Sequence, residues 1–76
     1  MVIHVRVFGA DAELVGAEAV PVSMKSGATC GQLLDELKRL HPQLTGRIAL
    51  NHAFAAVDQP IAQHDEVALI GLVSGG

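Results

Sequence analysis

The 76-residue chain has no tryptophan, no tyrosine and only two phenylalanines. That leaves no platform of aromatic rings on which single-stranded nucleic acid would stack. Its five Lys and Arg are scattered and outnumbered by eight Asp and Glu, for a net charge of −3 with His neutral. A basic footprint for a phosphate backbone is therefore missing. The one cysteine, Cys30, admits no internal disulfide. No apolar run approaches the ~20 residues of a membrane span. The opening "MVIHVRVF" reads as a strand, without the layout of a signal peptide. These absences lead to the expectation of a cytoplasmic protein with neither nucleic-acid nor membrane partners. His4, His41, His52 and His64 show no ligand spacing and no neighbouring Cys or carboxylate cluster, so no metal site is expected.

What is present points to a compact globule. Half of the residues are hydrophobic and 17% are charged, a balance that opposes disorder. The core must be aliphatic. A chain of this size buries only about 60% of the surface its unfolded form exposes, so one small domain is expected.

"VIHVRVF" (2–8) alternates, with Ile3, Val5 and Val7 on one face and His4, Arg6 and Phe8 on the other. "DAEL" within 9–19 suggests a short helical turn. "AVPVSM" (19–24) alternates again; Pro21 lacks an N–H and so marks an edge strand. "KSGA" turns the chain. The clearest helix lies within "TCGQLLDELKRLHP" (29–42) and covers residues 29–41, stopped by Pro42. Thr29 and Gln32 have capping-box spacing. Cys30, Leu33, Leu34, Leu37 and Leu40 form one apolar stripe, and Asp35 and Arg39 are spaced to pair on the polar face. Cys30 is read as a small buried hydrophobe rather than a reactive thiol.

"RIAL" (47–50), a turn at Asn51-His52 and "AFAAV" (53–57) predict a hairpin. "EVALIGLV" (66–73) is apolar at nearly every position, as a central strand would be. The order is β-β-α-β-β-β: an α+β fold, with one main helix on one face of a mixed four- to five-stranded sheet. The opposite sheet face is left open. Phe8, Ile70 and Leu72 are expected there, facing a partner. Asp65 and Glu66 are adjacent on an extended chain and diverge, so they do not form a catalytic carboxylate pair. No set of acid, base and nucleophile emerges.

The sequence closes on Ser74-Gly75-Gly76. Glycines have no Cβ and unrestricted φ, so such an end can thread a narrow slot. Fully extended, Val73–Gly76 reach about 13 Å. Residues 1–72 are expected to form the domain and 73–76 a flexible tail.

"ELVG" after the first strand, "RIALN" in mid-chain and "DEVALIGLVSGG" at the end resemble the ubiquitin-like β-grasp sulfur carriers, and among them the small subunits of molybdopterin synthase. The likeness runs over the whole chain and is strongest from Arg47 to Gly76. Departures are Gln63-His64 for the usual Asp-Gly, Gly71-Leu72 for Pro-Pro, and Ala12 for an Arg before Glu13-Leu14.

The resemblance implies a specific chemistry. The carboxylate of Gly76, behind Gly75, would be adenylated and then converted to a thiocarboxylate that donates sulfur to a pterin precursor. The ATP and Mg²⁺ would be used by a ubiquitin-activating-enzyme-like adenylyltransferase, with no cofactor bound by this chain. The other partners implied are the synthase large subunit and a sulfur donor protein. Phe8, Ile70, Leu72, Val73 and Ser74 would meet partners. Two alternatives remain: a carrier for another acceptor (thiamin thiazole, tRNA thiolation or cysteine synthesis), or a β-grasp interaction module that does not use its terminus.

Overall fold

The computed structural model describes residues 1–71. Strand β1 (Val2–Arg6) pairs antiparallel with β2 (Ala19–Ser23), in register from Val2 opposite Ser23 to Arg6 opposite Ala19. Between them lies α1 (Gly9–Val15), a seven-residue helix where the sequence suggested a single turn. Ala10 and Ala12, both strong helix formers, extend it. Gly16, left-handed at φ 72°, ends it by donating its N–H to the Ala12 carbonyl.

The remaining elements are α2 (Cys30–Leu40), β3 (Arg47–Leu50), β4 (Ala53–Phe54) and β5 (Val67–Ile70). They complete a five-stranded sheet of order β2-β1-β5-β3-β4. As its apolar sequence required, β5 is central: parallel to β1 and antiparallel to β3. Pro21 sits on edge strand β2 and its missing N–H costs no ladder bond. This mixed sheet under one main helix is the β-grasp architecture.

Helix α2 is fixed at its start by both halves of the capping box. The Gln32 N–H donates to Thr29 Oγ1 at 3.2 Å, and the Thr29 N–H to Gln32 Oε1 at 2.9 Å. Cys30, Leu33 and Leu37 are buried against the sheet, as expected. Leu40 is 43% exposed, because Leu44, fully buried just beyond the helix, fills that end of the core. The expected Asp35–Arg39 pair does not form. Glu36, one methylene longer, takes both Nε and Nη2 of Arg39.

The returning strand expected over 53–57 stops at Phe54. Beyond Ala55 the chain turns to the start of α2, where the Val57 carbonyl accepts from the Gly31 N–H at 2.8 Å and the Gln59 carbonyl from the Cys30 N–H at 2.9 Å. Of the last strand expected over 66–73, residues 72 and 73 lie outside the described residues, and the part described is Val67–Ile70. The expected domain boundary after residue 72 lies outside the described residues as well. Gly46 leads into β3 at φ 130°. A Cβ there would run into the Ile70 carbonyl, 2.8 Å from its carbon, so only glycine lets the two chains pass this closely.

Candidate partner-binding face and tail root

Side chains alternate across each strand, and α2 claims one set. Ile3, Val5, Ile48, Leu50, Val67 and Leu69 are buried beneath it. The other set builds the open face. Sheet register aligns Arg6, Ala68, Ala49 and Phe54 in one row. The two alanines lie at its centre, so the floor is low there. Phe8 and Phe54, 50% and 51% exposed, rise on either side. Together with Ile70 they enclose a mostly apolar depression of about 290 Å³, rimmed by Arg6, His52 and Glu66. The Arg47 guanidinium lies 4.4 Å from the Phe54 ring centre and that of Arg6 5.7 Å from Phe8, both within cation–π range.

One end of the depression is held by a tight turn. Asn51 and His52 take left-handed φ values of 51° and 72°, as the sequence suggested for a two-residue hairpin turn. Asn51 then ties the turn to the start of β5. Its N–H donates to the Glu66 carbonyl at 2.8 Å, its Oδ1 accepts the Glu66 N–H at 2.9 Å, and its Nδ2 donates to Asp65 Oδ1 at 3.1 Å. The other Asp65 oxygen accepts from the Ala62 N–H at 2.8 Å. That backbone bond and then the Asn51 amide hold the Asp65 carboxyl below the ordinary carboxylate range, with a smaller contribution from His64. Glu66 instead reaches His52, Oε2 to Nε2 2.7 Å. The two carboxylates thus make separate contacts to the two residues of one turn, Asp65 to Asn51 and Glu66 to His52.

Phe8 and Ile70 both line the depression on the open face. Leu72, Val73, Ser74, Gly75 and Gly76 lie outside the described residues. The sequence reading missed Phe54. Its signal was the hairpin itself: with a two-residue turn at 51–52, Phe54 must stand opposite Ala49 on the open face. Cys30 is buried as expected, and burial, with the nearby charge of Asp65, pushes its thiol up. It is therefore a poor nucleophile. Among the described residues no group of three or more His, Cys, Asp and Glu could hold a metal ion, and no helix is long and apolar enough to cross a membrane.

At the far end, the depression adjoins the root of the tail. Ile70 belongs to the open face, and Gly71 follows at the mouth of a second depression shared with Phe8, Asp11 and Thr45. The open face thus ends beside Ile70 and Gly71, the last residues the structure describes.

Fold and face together define a ubiquitin-like β-grasp protein. The structure matches that of small archaeal modifier protein 1 from Haloferax volcanii over all of both chains, with a TM-score of 0.79 and 30% identity. That protein is also a sequence relative, 33% identical over 93% of this chain and 97% of its own length. The chain belongs to the ThiS family, whose model matches residues 5–76. It is similar to the molybdopterin synthase sulfur carrier subunit of Arabidopsis thaliana, with 38% identity over 97% of this chain and 82% of that protein. A complex of subunits 1 and 2 of the molybdopterin-converting factor from Helicobacter pylori contains a similar chain, with a TM-score of 0.64 and 25% identity over the full length of both.

Proposed function

We propose that this protein is a sulfur carrier and serves as the small subunit of a molybdopterin synthase. The observation that carries this reading is the adjacency just described: the open apolar face ends at Ile70, one residue before the root of a Gly-Gly tail. A partner seated on Phe8, Phe54 and Ile70 would receive the tail in the same encounter. Leu72, Val73 and Ser74 would line its passage, and Gly75 and Gly76 would enter the partner's slot.

The terminal carboxyl has an ordinary pKa of about 3.3–3.7 and is an anion at neutral pH. It attacks the α-phosphorus of ATP, held with Mg²⁺ by an adenylyltransferase, and pyrophosphate leaves. The outer sulfur of a donor protein's persulfide then displaces AMP from the acyl adenylate to form an acyl disulfide, and a thiol cleaves that disulfide to release the thiocarboxylate. Docked on the large subunit, the thiocarboxylate sulfur bonds to the pterin precursor, and water then cleaves the acyl–sulfur bond and regenerates the carboxylate. The scaffold contributes presentation, and the chemistry is completed by partners in the cytoplasm. The support is the family membership, the resemblance to the Arabidopsis thaliana carrier subunit and the paired subunits of the Helicobacter pylori complex.

Intact-mass measurement of the protein purified from its cells tests the reading. A fraction heavier by the difference between sulfur and oxygen at the C-terminal peptide is expected. Deletion of Gly76 should remove that fraction and leave folding and large-subunit binding unchanged. If the C-terminal peptide never carries sulfur, the reading fails. A second reading is favoured by the near-complete coverage of small archaeal modifier protein 1: the same activated terminus would be joined to protein amines. Gly76-dependent conjugates on a denaturing gel would select it.

A further inference from the structure

The end of β5 is enclosed by two residues from distant parts of the chain. Gly46 lies so close that a Cβ there would be 2.8 Å from the Ile70 carbonyl carbon and 3.1 Å from Gly71 Cα. Asp11 closes on the next residue. A Cβ at Gly71 would stand 3.1 Å from Asp11 Oδ2 and 3.9 Å from its Cγ. Asp11 lies in the first turn of α1, its N–H donating to the Phe8 carbonyl at 3.1 Å. It is 8% exposed and is the single buried charged side chain among the described residues. With Phe8, Thr45, Ile70 and Gly71 it lines a depression of about 510 Å³ at the tail root.

The helix dipole favours a carboxylate in the first turn of α1, but it does not require that the side chain be buried. Burying charge is unfavourable, and alanine is the better helix former. What the position does have is the last described residue of the chain beside it, near enough that a Cβ on Gly71 would crowd Asp11 Oδ2. We infer that Asp11 is a positioning residue for the tail: together with Gly46 it forms a collar around Ile70–Gly71 that sets the direction in which the chain departs. The inference rests on the carrier reading of Gly76. The terminus must enter more than one partner's site, and every tail residue ordered on entering loses conformational entropy. A fixed departure lowers that loss for each partner. A Cβ at residue 71 would approach the Asp11 carboxylate more tightly than an ordinary contact.

The test is ATP-dependent charging of the full chain by an adenylyltransferase that charges the parent, with kcat and KM measured separately. Asp11→Ala should lower kcat/KM about tenfold, mainly through KM, a loss modest beside the ~100-fold a misplaced reacting group produces. Asp11→Asn, of the same size, should stay within about threefold of the parent, since shape is retained. Gly71→Ala should be about as damaging as Asp11→Ala in the parent but add less than about twofold in the Asp11→Ala background, because coupled residues are not additive.

Three results overturn the collar: parent-like charging by Asp11→Ala, an Asn variant as poor as Ala, or a Gly71→Ala loss equal in both backgrounds. A loss of charging that merely tracks loss of folded protein by circular dichroism overturns it as well. A parent chain that accepts no adenylate from any such enzyme would instead sink the carrier reading, and the collar's role with it.

Discussion

Ala49 stands directly opposite Ala68 across the β3–β5 pair, on the open side of the sheet. These are the smallest side chains on that face short of glycine, and they sit between Phe8 and Phe54. The depression exists because of this pairing. Ala68→Phe should fill it. An aromatic residue suits a strand surface, so urea unfolding should show a stability within about 1 kcal/mol of the parent. Titration calorimetry against the synthase large subunit should show at least tenfold weaker binding, roughly 1.4 kcal/mol. Unchanged affinity would move the partner to another surface.

Phe54 is the aromatic wall on the opposite side from Phe8, and Arg47 lies over its ring. Half its surface already meets solvent, so Phe54→Ala removes little buried area. The variant should stay folded, with a thermal midpoint only slightly lower than the parent's. In a docked complex the same ring would be enclosed, and truncation of an enclosed aromatic anchor weakens binding by about 2 kcal/mol or more. Large-subunit affinity measured beside Ala68→Phe checks this. A stability loss larger than the binding loss would show that Phe54 serves the fold instead.

Gly46 is the most restrictive position at the tail root. It combines φ 130° with the close approach to the Ile70 carbonyl. Alanine there meets backbone, which cannot rotate away as a side chain can. Gly46→Ala should destabilise the domain by about 2–4 kcal/mol, the strained backbone and the clash acting together. A urea midpoint unchanged from the parent would mean that β3 and β5 separate at that end without penalty.

Local patterns were legible in the sequence. Alternation over 2–8 placed Ile3, Val5 and Val7 inside and Phe8 outside. Thr29 and Gln32 marked the start of α2, Pro21 an edge strand, and Asn51-His52 a tight turn. Each depends on residues a few positions apart. Features set by distant contacts were not legible. Strand β4 ends at Phe54 because residues 57 and 59 are drawn to the start of α2. Arg39 chose Glu36 over Asp35 by side-chain reach. The sequence showed Asp11 only as part of the short helical turn at "DAEL", and only the folded chain brings it beside Gly71. The depression was half legible: Phe8 and Ile70 followed from strand parity, while Phe54 required the register across the hairpin.

Asp65 provides the final prediction. The Ala62 N–H and the Asn51 amide both donate to its carboxylate, and its pKa in the folded protein is lowered below the ordinary value. A carboxyl with a depressed folded pKa stabilises the protein when ionised in both states. That contribution is fully present above the unfolded pKa of about 3.9 and is lost as pH falls through the lower folded value. Protonation would also turn one acceptor oxygen into a donor facing another donor. The 62–66 turn would loosen, and with it the link from Asn51 to β5 that holds one end of the depression. Thermal midpoints of the parent and of Asp65→Asn, compared from neutral to strongly acidic pH, should differ most near neutrality and converge below the carboxylate range. Curves that keep a constant separation down to the lowest pH would show that the Asp65 charge contributes nothing and that only the shape of its side chain matters to the turn.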